Sequence, residues 1–164
     1  MRRHEKAILI LAVGWFILAG FFMGVWVGAM RQLKEPKAPP IVAMAASDTI
    51  AYINNEREKE RLAPLVGNFI LDEVAKKKAC DMRDRNYFDH QDPDGKMVWV
   101  LFKQYGYAYT YAGENLAKGS IGDNNFIITL LKSKEHRDNI FFPNYKDIGI
   151  ANCGEYYVQE FGAK

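Results

Sequence analysis

From Ala7 to Met30 the chain reads AILILAVGWFILAGFFMGVWVGAM, 24 residues without a charge. A helix rising about 1.5 Å per residue carries that run over about 36 Å, enough to cross a hydrocarbon core with some tilt. The run therefore predicts a transmembrane signal anchor at 7–30, after a basic cytoplasmic tail at 1–6 and ahead of everything that folds in water. Trp15 and Trp26 suit the membrane interfaces. Gly20, Gly24 and Gly28 form a small-residue stripe on one face, a candidate surface for a homodimer. The small residues at 27–29 also look like a cleavage site, so secretion after cutting near Ala29 is the alternative. An apolar run longer than the usual stretch of about 7–15 residues favours the uncut anchor. Arg2, Arg3 and Lys6 before the run are matched by Arg31, Lys34 and Lys37 after it, and the free amino terminus tips the charge towards a cytoplasmic start.

Pro36, Pro39 and Pro40 make 31–46 an extended linker, which leaves 47–164 as one domain. Ser47 or Asp48 is placed to cap a first helix ending near Arg61, with Ile50 and Ile53 as apolar marks and EREKER as a solvated charged face. Asn68 caps a second helix, in which Leu71, Val74, Ala75, Lys78, Ala79 and Met82 recur at helical steps. A loop follows at RNYFDHQDPDGK, then a short helical stretch in MVWVLFKQYG. Tyr105, Tyr107, Tyr109 and Tyr111 alternate at period two and predict a strand, with Glu114 in the turn at its end. Asp123 or Asn124 caps a third helix, and DIGIAN and YYVQEFG form a closing hairpin. This mixture predicts an α+β fold with helices packed on an antiparallel sheet.

The net charge of +2 is spread over interspersed signs with no basic stripe, so nucleic acid is not an expected partner. Cys80 and Cys153 follow no metal-binding spacing. They are either one disulfide in an exported domain or two separate thiols.

His90, Glu114 and His136 each stand at an expected element boundary, where scaffolds present functional groups. Two neutral imidazoles and a carboxylate suit Zn²⁺ with an open position, and equally suit the floor of a metal-free polar pocket. Plainer readings exist for each. Asp89 could hold His90, Glu114 could close a turn with Asn115, and His136 could sit third in a helix capped by Ser133. HQDPDG fails as a calcium loop because its twelfth position is Leu101 rather than a glutamate. No HExxH, GxSxG or phosphate-cradling glycine loop occurs.

Five segments in order, INNEREKERLAPL, LDEVAKKKACDMRDRNYFDHQDPDG, YAGENLAKG, LLKSKEHRDNIFFPNYKDIGIA and YYVQEFG, resemble the CAP superfamily of cysteine-rich secretory, antigen 5 and pathogenesis-related proteins, in its bacterial SCP-like branch. The resemblance implies an α-β-α sandwich with a central antiparallel sheet, secreted or displayed outside the membrane. It implies that His90, Glu114 and His136 line one central cleft, which in some members holds a divalent metal. Asn115, Ser133, Arg137 and Asn139 belong to the same motifs and read as its supports. Ser133 and Asn139 would bond backbone, and Arg137 would pair with a carboxylate. The sequence lacks the second glutamate of animal and plant members on the helix before His136, and Glu135, next to His136, is not assumed to replace it. The tryptophan often found before the SxxH serine is missing too, with Leu131 and Lys132 in that neighbourhood. Family activities range from lipid or sterol binding to proteolysis and envelope or spore-coat assembly. The resulting expectation is a membrane-anchored extracytoplasmic module binding a small ligand, lipid or envelope component. The alternative is a metal-dependent hydrolase in which His90 and His136 hold Zn²⁺ and Glu114 is general base.

Overall fold

The computed structural model describes residues 45–119 and 126–164. The basic tail, the apolar run with its glycine stripe, the linker up to residue 44 and the expected caps Asp123 and Asn124 lie outside those residues. The chain divides into units Met1–Pro40 and Ile41–Lys164, and the second holds all the structure that follows. Among the described residues no helix is long and apolar enough to cross a membrane.

In chain order the elements are α1 (Ala46–Lys59), β1 (Val66–Gly67), α2 (Phe69–Asp84), α3 (Trp99–Gln104), β2 (Tyr111–Lys118), α4 (Phe126–Lys132), α5 (Lys134–Ile140), β3 (Asp147–Cys153) and β4 (Tyr156–Ala163). The sheet order is β1-β3-β4-β2. β3 pairs antiparallel with β4, and β4 with β2. The two-residue β1 runs parallel to β3, so the sheet is mixed, not wholly antiparallel as expected.

Helix α2 forms where its pattern says it should. The Asn68 side chain accepts hydrogen bonds from Ile70 N (3.0 Å) and Leu71 N (3.4 Å), which satisfies two of the helix's free N–H groups. All six periodic residues, Lys78 included, are buried. The helix lies directly on β3, because Gly149 has no side chain to hold it off. A Cβ there would stand 2.1 Å from the Leu71 carbonyl carbon. The Asp72 carboxylate accepts from Ile150 N at 2.8 Å, and a disulfide joins Cys80 to Cys153 with Cα atoms 5.0 Å apart. Of the two cysteine readings, the bonded one is therefore correct, and Cys153 ends β3.

Alternation along the strands sends their two faces to different helices. Leu116, Cys153, Tyr156 and Val158 pack with Ala75, Ala79 and Met82 of α2. Ile148, Ile150 and Phe161 pack with Ile53 of α1, Ile127 and Leu130 of α4 and Ile140 of α5.

Several local expectations are corrected. Helix α1 starts at Ala46 with Ala45 at its N-cap position and no side-chain cap, and it ends at Lys59, two residues before a left-handed Arg61 (φ +60°). Within EREKER, Arg57 is no solvated charge. It follows Ile50 and Ile53 on one helical face, is fully buried, and donates to Ala63 O, Ile140 O and Phe142 O. The tyrosine alternation is not a strand either. Tyr105 closes α3, Gly106 turns the chain at φ +84°, and Tyr107 is core, with its ring against Gly162 and its hydroxyl donating to Asp147 (2.6 Å).

Replacing both Cys80 and Cys153 by alanine should lower stability by about 2–4 kcal/mol, since their 73-residue separation makes the unfolded-state constraint large. Equilibrium urea unfolding without reductant measures it, and a mass 2 Da (about two hydrogens) below the reduced chain verifies the bond beforehand.

Candidate functional site

β2 is the edge strand opposite β1, so side chains from both its faces reach one opening. Glu114 lies mid-strand, not in the expected turn, directly across from Glu160 of β4 and on the α2 face. Asn115 points to the opposite face, towards α5. The loop after α2 brings in His90, and the first turn of α5 brings in His136. These side chains, with Asn139, Phe142 and Tyr145, line an open cleft of about 380 Å³.

The histidines are held differently. His90 Nδ1 lies 2.6 Å from Glu114 Oε1, and the Lys78 ammonium fixes the same residue's carbonyl at 2.8 Å. The glutamate side chain is 2% exposed while the imidazole is half exposed, so His90 offers its other nitrogen to the cleft. Asp89 is not its holder, since that carboxylate accepts from Gln91 N instead. His136 is positioned through its backbone: Asn115 Nδ2 donates to His136 O and to Gln159 Oε1, both at 3.2 Å. Asn139 completes the stitch between β2 and α5. Its Nδ2 donates to Glu114 O and Asn115 Oδ1, both at 3.0 Å, and its Oδ1 accepts from the Tyr145 hydroxyl.

Gly113 explains the glycine before the glutamate. A Cβ there would fall 2.1 Å from the Tyr145 hydroxyl and 2.6 Å from Asn139 Oδ1. Any other residue would push the tyrosine and the asparagine off β2. Of the remaining expected supports, Ser133 occupies the N-cap of α5 but its side chain makes no capping bond. Arg137 is exposed and, among the described residues, pairs with no carboxylate within 4 Å.

Sequence reasoning missed Lys78 as a polar contributor, Gly113, Tyr145, Gln159 and Glu160. Lys78 and Glu160 sit at apolar phases of their elements, and that charge in a buried register was the available signal. Glu160 is fully buried and neither carboxyl oxygen has a hydrogen-bond partner. Burial, then the nearby Glu114, raises its pKa well above the usual carboxylate range.

Glu114 Oε2 and His136 Nδ1 are buried without a hydrogen-bond partner, and the half-exposed His90 ring is the group open to the cleft. Among the described residues no three His, Cys, Asp or Glu side chains are gathered as a metal-holding set. A metal in the cleft would be held by His90 through its free nitrogen and by His136, with the Glu114 bond to His90 Nδ1 fixing that ring's tautomer, and it would supply an acidified water.

A mixed sheet with helices on it and a histidine–glutamate–histidine cleft at its edge define the class. The chain belongs to the CAP family, the cysteine-rich secretory protein family, whose model matches residues 50–161. It is 36% identical over 138 residues to the uncharacterized protein YkwD of Bacillus subtilis, covering 83% of this chain and 54% of that one. It is 24% identical over 131 residues to the uncharacterized membrane protein YlbC of the same organism, covering 80% and 38%. The chain thus spans about half or less of the length of these relatives. Among solved structures it resembles an extracellular SCP-domain protein of Bacillus anthracis, with a TM-score of 0.67 and 25% identity over 72% of this chain and 40% of that one.

The two histidines titrate in opposite directions from the ordinary 6.5. The hydrogen bond to Glu114 raises His90, whereas desolvation, then repulsion from His90, lowers His136. Above pH 6.5 the folded state holds the His90 proton that the unfolded chain releases, so this contribution falls as pH rises. Below pH 6.5 the unfolded chain takes the His136 proton first, so that contribution falls as pH drops. Glu160, whose carboxyl is held by burial well above its ordinary 4.5, also keeps a proton that the unfolded chain releases above that pH, so it opposes the His136 contribution and adds to the fall with rising pH. Stability should therefore decline as pH rises above 6.5, which unfolding midpoints across the range check, and Glu114→Gln should lessen that decline.

Proposed function

We propose that this chain is a membrane-tethered CAP domain of α-β-α type, held outside the cytoplasmic membrane, that captures a small polar ligand in the His90–Glu114–His136 cleft without transforming it. The carrying observation is the convergence of His90, Glu114 and His136 on one open cleft, where the half-exposed His90 ring is held at 2.6 Å by the buried Glu114 carboxylate. A polar ligand there would hydrogen-bond the exposed ring in a partly desolvated site whose partner is already oriented.

Placement outside rests on three supports. The uncharged run at 7–30 is long enough to span, the Cys80–Cys153 disulfide belongs to an oxidising compartment, and the related proteins carry the descriptions membrane and extracellular.

Capture is favoured over covalent hydrolysis because among the described residues no serine, threonine or cysteine side chain hydrogen-bonds to either imidazole, and both cysteines are consumed in the disulfide.

The test uses the full chain in detergent. Wild type and Glu114→Gln/His136→Ala, matched by circular dichroism, are incubated with envelope extract, and retained small molecules are read by mass spectrometry. Retention by wild type and its loss in the variant is expected. Equal retention by both defeats the reading. Peptide or ester turnover that a chelator stops and Zn²⁺ restores transfers the site to the hydrolase class.

A further inference from the structure

A second cavity, of about 160 Å³, lies away from the cleft between α2, the loop carrying His90, and α3. Its size is close to the roughly 150 Å³ of an engineered apolar cavity that holds benzene. Val98 and Leu101 supply an apolar wall, with Met97 and Val100 at an exposed rim.

The polar lining is unevenly committed. Asp81 accepts from the Tyr87 hydroxyl at 2.7 Å and lies 3.5 Å from the Arg85 guanidinium. Asp92 accepts from the backbone N–H groups of Asp94 and Lys96. One oxygen of each carboxylate is engaged by the protein, Asp81 Oδ2 and Asp92 Oδ1, so the lining sets three ammoniums against two partly engaged carboxylates. Lys77 and Lys96 are exposed and, among the described residues, neither ammonium lies within 4 Å of a carboxylate. A third cation, Lys78, is 3% exposed and reaches both the Tyr87 hydroxyl and the His90 carbonyl. An apolar wall of benzene size facing uncommitted ammoniums is complementary to an anion with a small apolar body.

We propose that this cavity is a second binding site, for a small organic anion: a carboxylate or phosphate carried on a benzene-sized group. The body packs on Val98 and Leu101, and the negative group lies between Lys77 and Lys96. Because Lys78 joins the cavity to the His90 carbonyl, occupancy also reaches the loop that presents His90. The site stands independently of the ligand proposed for the cleft.

Calorimetric titration of the full chain in detergent tests it, with phenyl phosphate and benzoate as probes and benzylamine as the charge-reversed control. Both anions should bind about tenfold or more tightly than benzylamine, and Lys77→Ala/Lys96→Ala should weaken the anions by a similar factor while leaving benzylamine alone. Lys59→Ala/Lys164→Ala, which lowers net charge equally elsewhere, should change nothing. Equal binding of anions and benzylamine overturns the proposal. So does anion binding that survives the Lys77/Lys96 change, which would put the anion at the histidines or on the general surface charge.

Discussion

The backbone of α2 rests on the backbone of β3 at Gly149, and the rest of the domain depends on that contact. It is closer than any side chain permits, so the helix is fixed to the sheet along its length by the Asp72–Ile150 hydrogen bond at one end and the Cys80–Cys153 bond at the other. With α2 fixed, Lys78 reaches the loop that follows, and His90 arrives at the sheet edge already oriented. A domain of this size has a modest core and little stability to spare. A covalent tie between its longest helix and its central hairpin therefore carries weight beyond one pair of residues.

The cleft is a consequence of β2 being an edge. An internal strand would bury both faces, whereas at the rim Glu114 and Asn115, adjacent in sequence and opposite in direction, serve the same opening. Asn115 and Asn139 then form a fully satisfied amide network that locks α5, and with it His136, onto β2. Such a network tolerates no half measures, because each buried partner left alone costs its full desolvation. Among the described residues the buried side-chain atoms left unpartnered are Arg57 Nη2 and atoms of Glu114, Glu160 and His136, the last three beside this network.

Much of this was legible along the chain. The periodic residues of α2, its Asn68 cap and the closing hairpin follow from local rules, and their environments agree with them. The three cleft residues were legible only because whole motifs were present; spacing alone left each with a plainer reading. The tyrosine run shows how a two-residue period can mislead. Tyr105, Tyr107, Tyr109 and Tyr111 alternate across a helix end, a glycine turn and a strand start, so no single face unites them. Arg57 misled in the opposite way. Its charge hid its helical phase, and its burial is supported by carbonyls more than eighty residues away, at Ile140 and Phe142.

By itself the sequence determined what short-range chemistry governs: an uncharged run long enough for a membrane, helix periods, caps and turns, and the presence of two cysteines and three histidines. Only the tertiary structure decided which of those residues meet. It paired Cys80 with Cys153, set Glu114 against His90, made β2 the edge and gave Gly113 its purpose as room for Tyr145. The physical reason is that local propensity acts over a turn or two of chain, whereas a cleft or a disulfide depends on distances that exist only once helices have docked on both faces of the sheet.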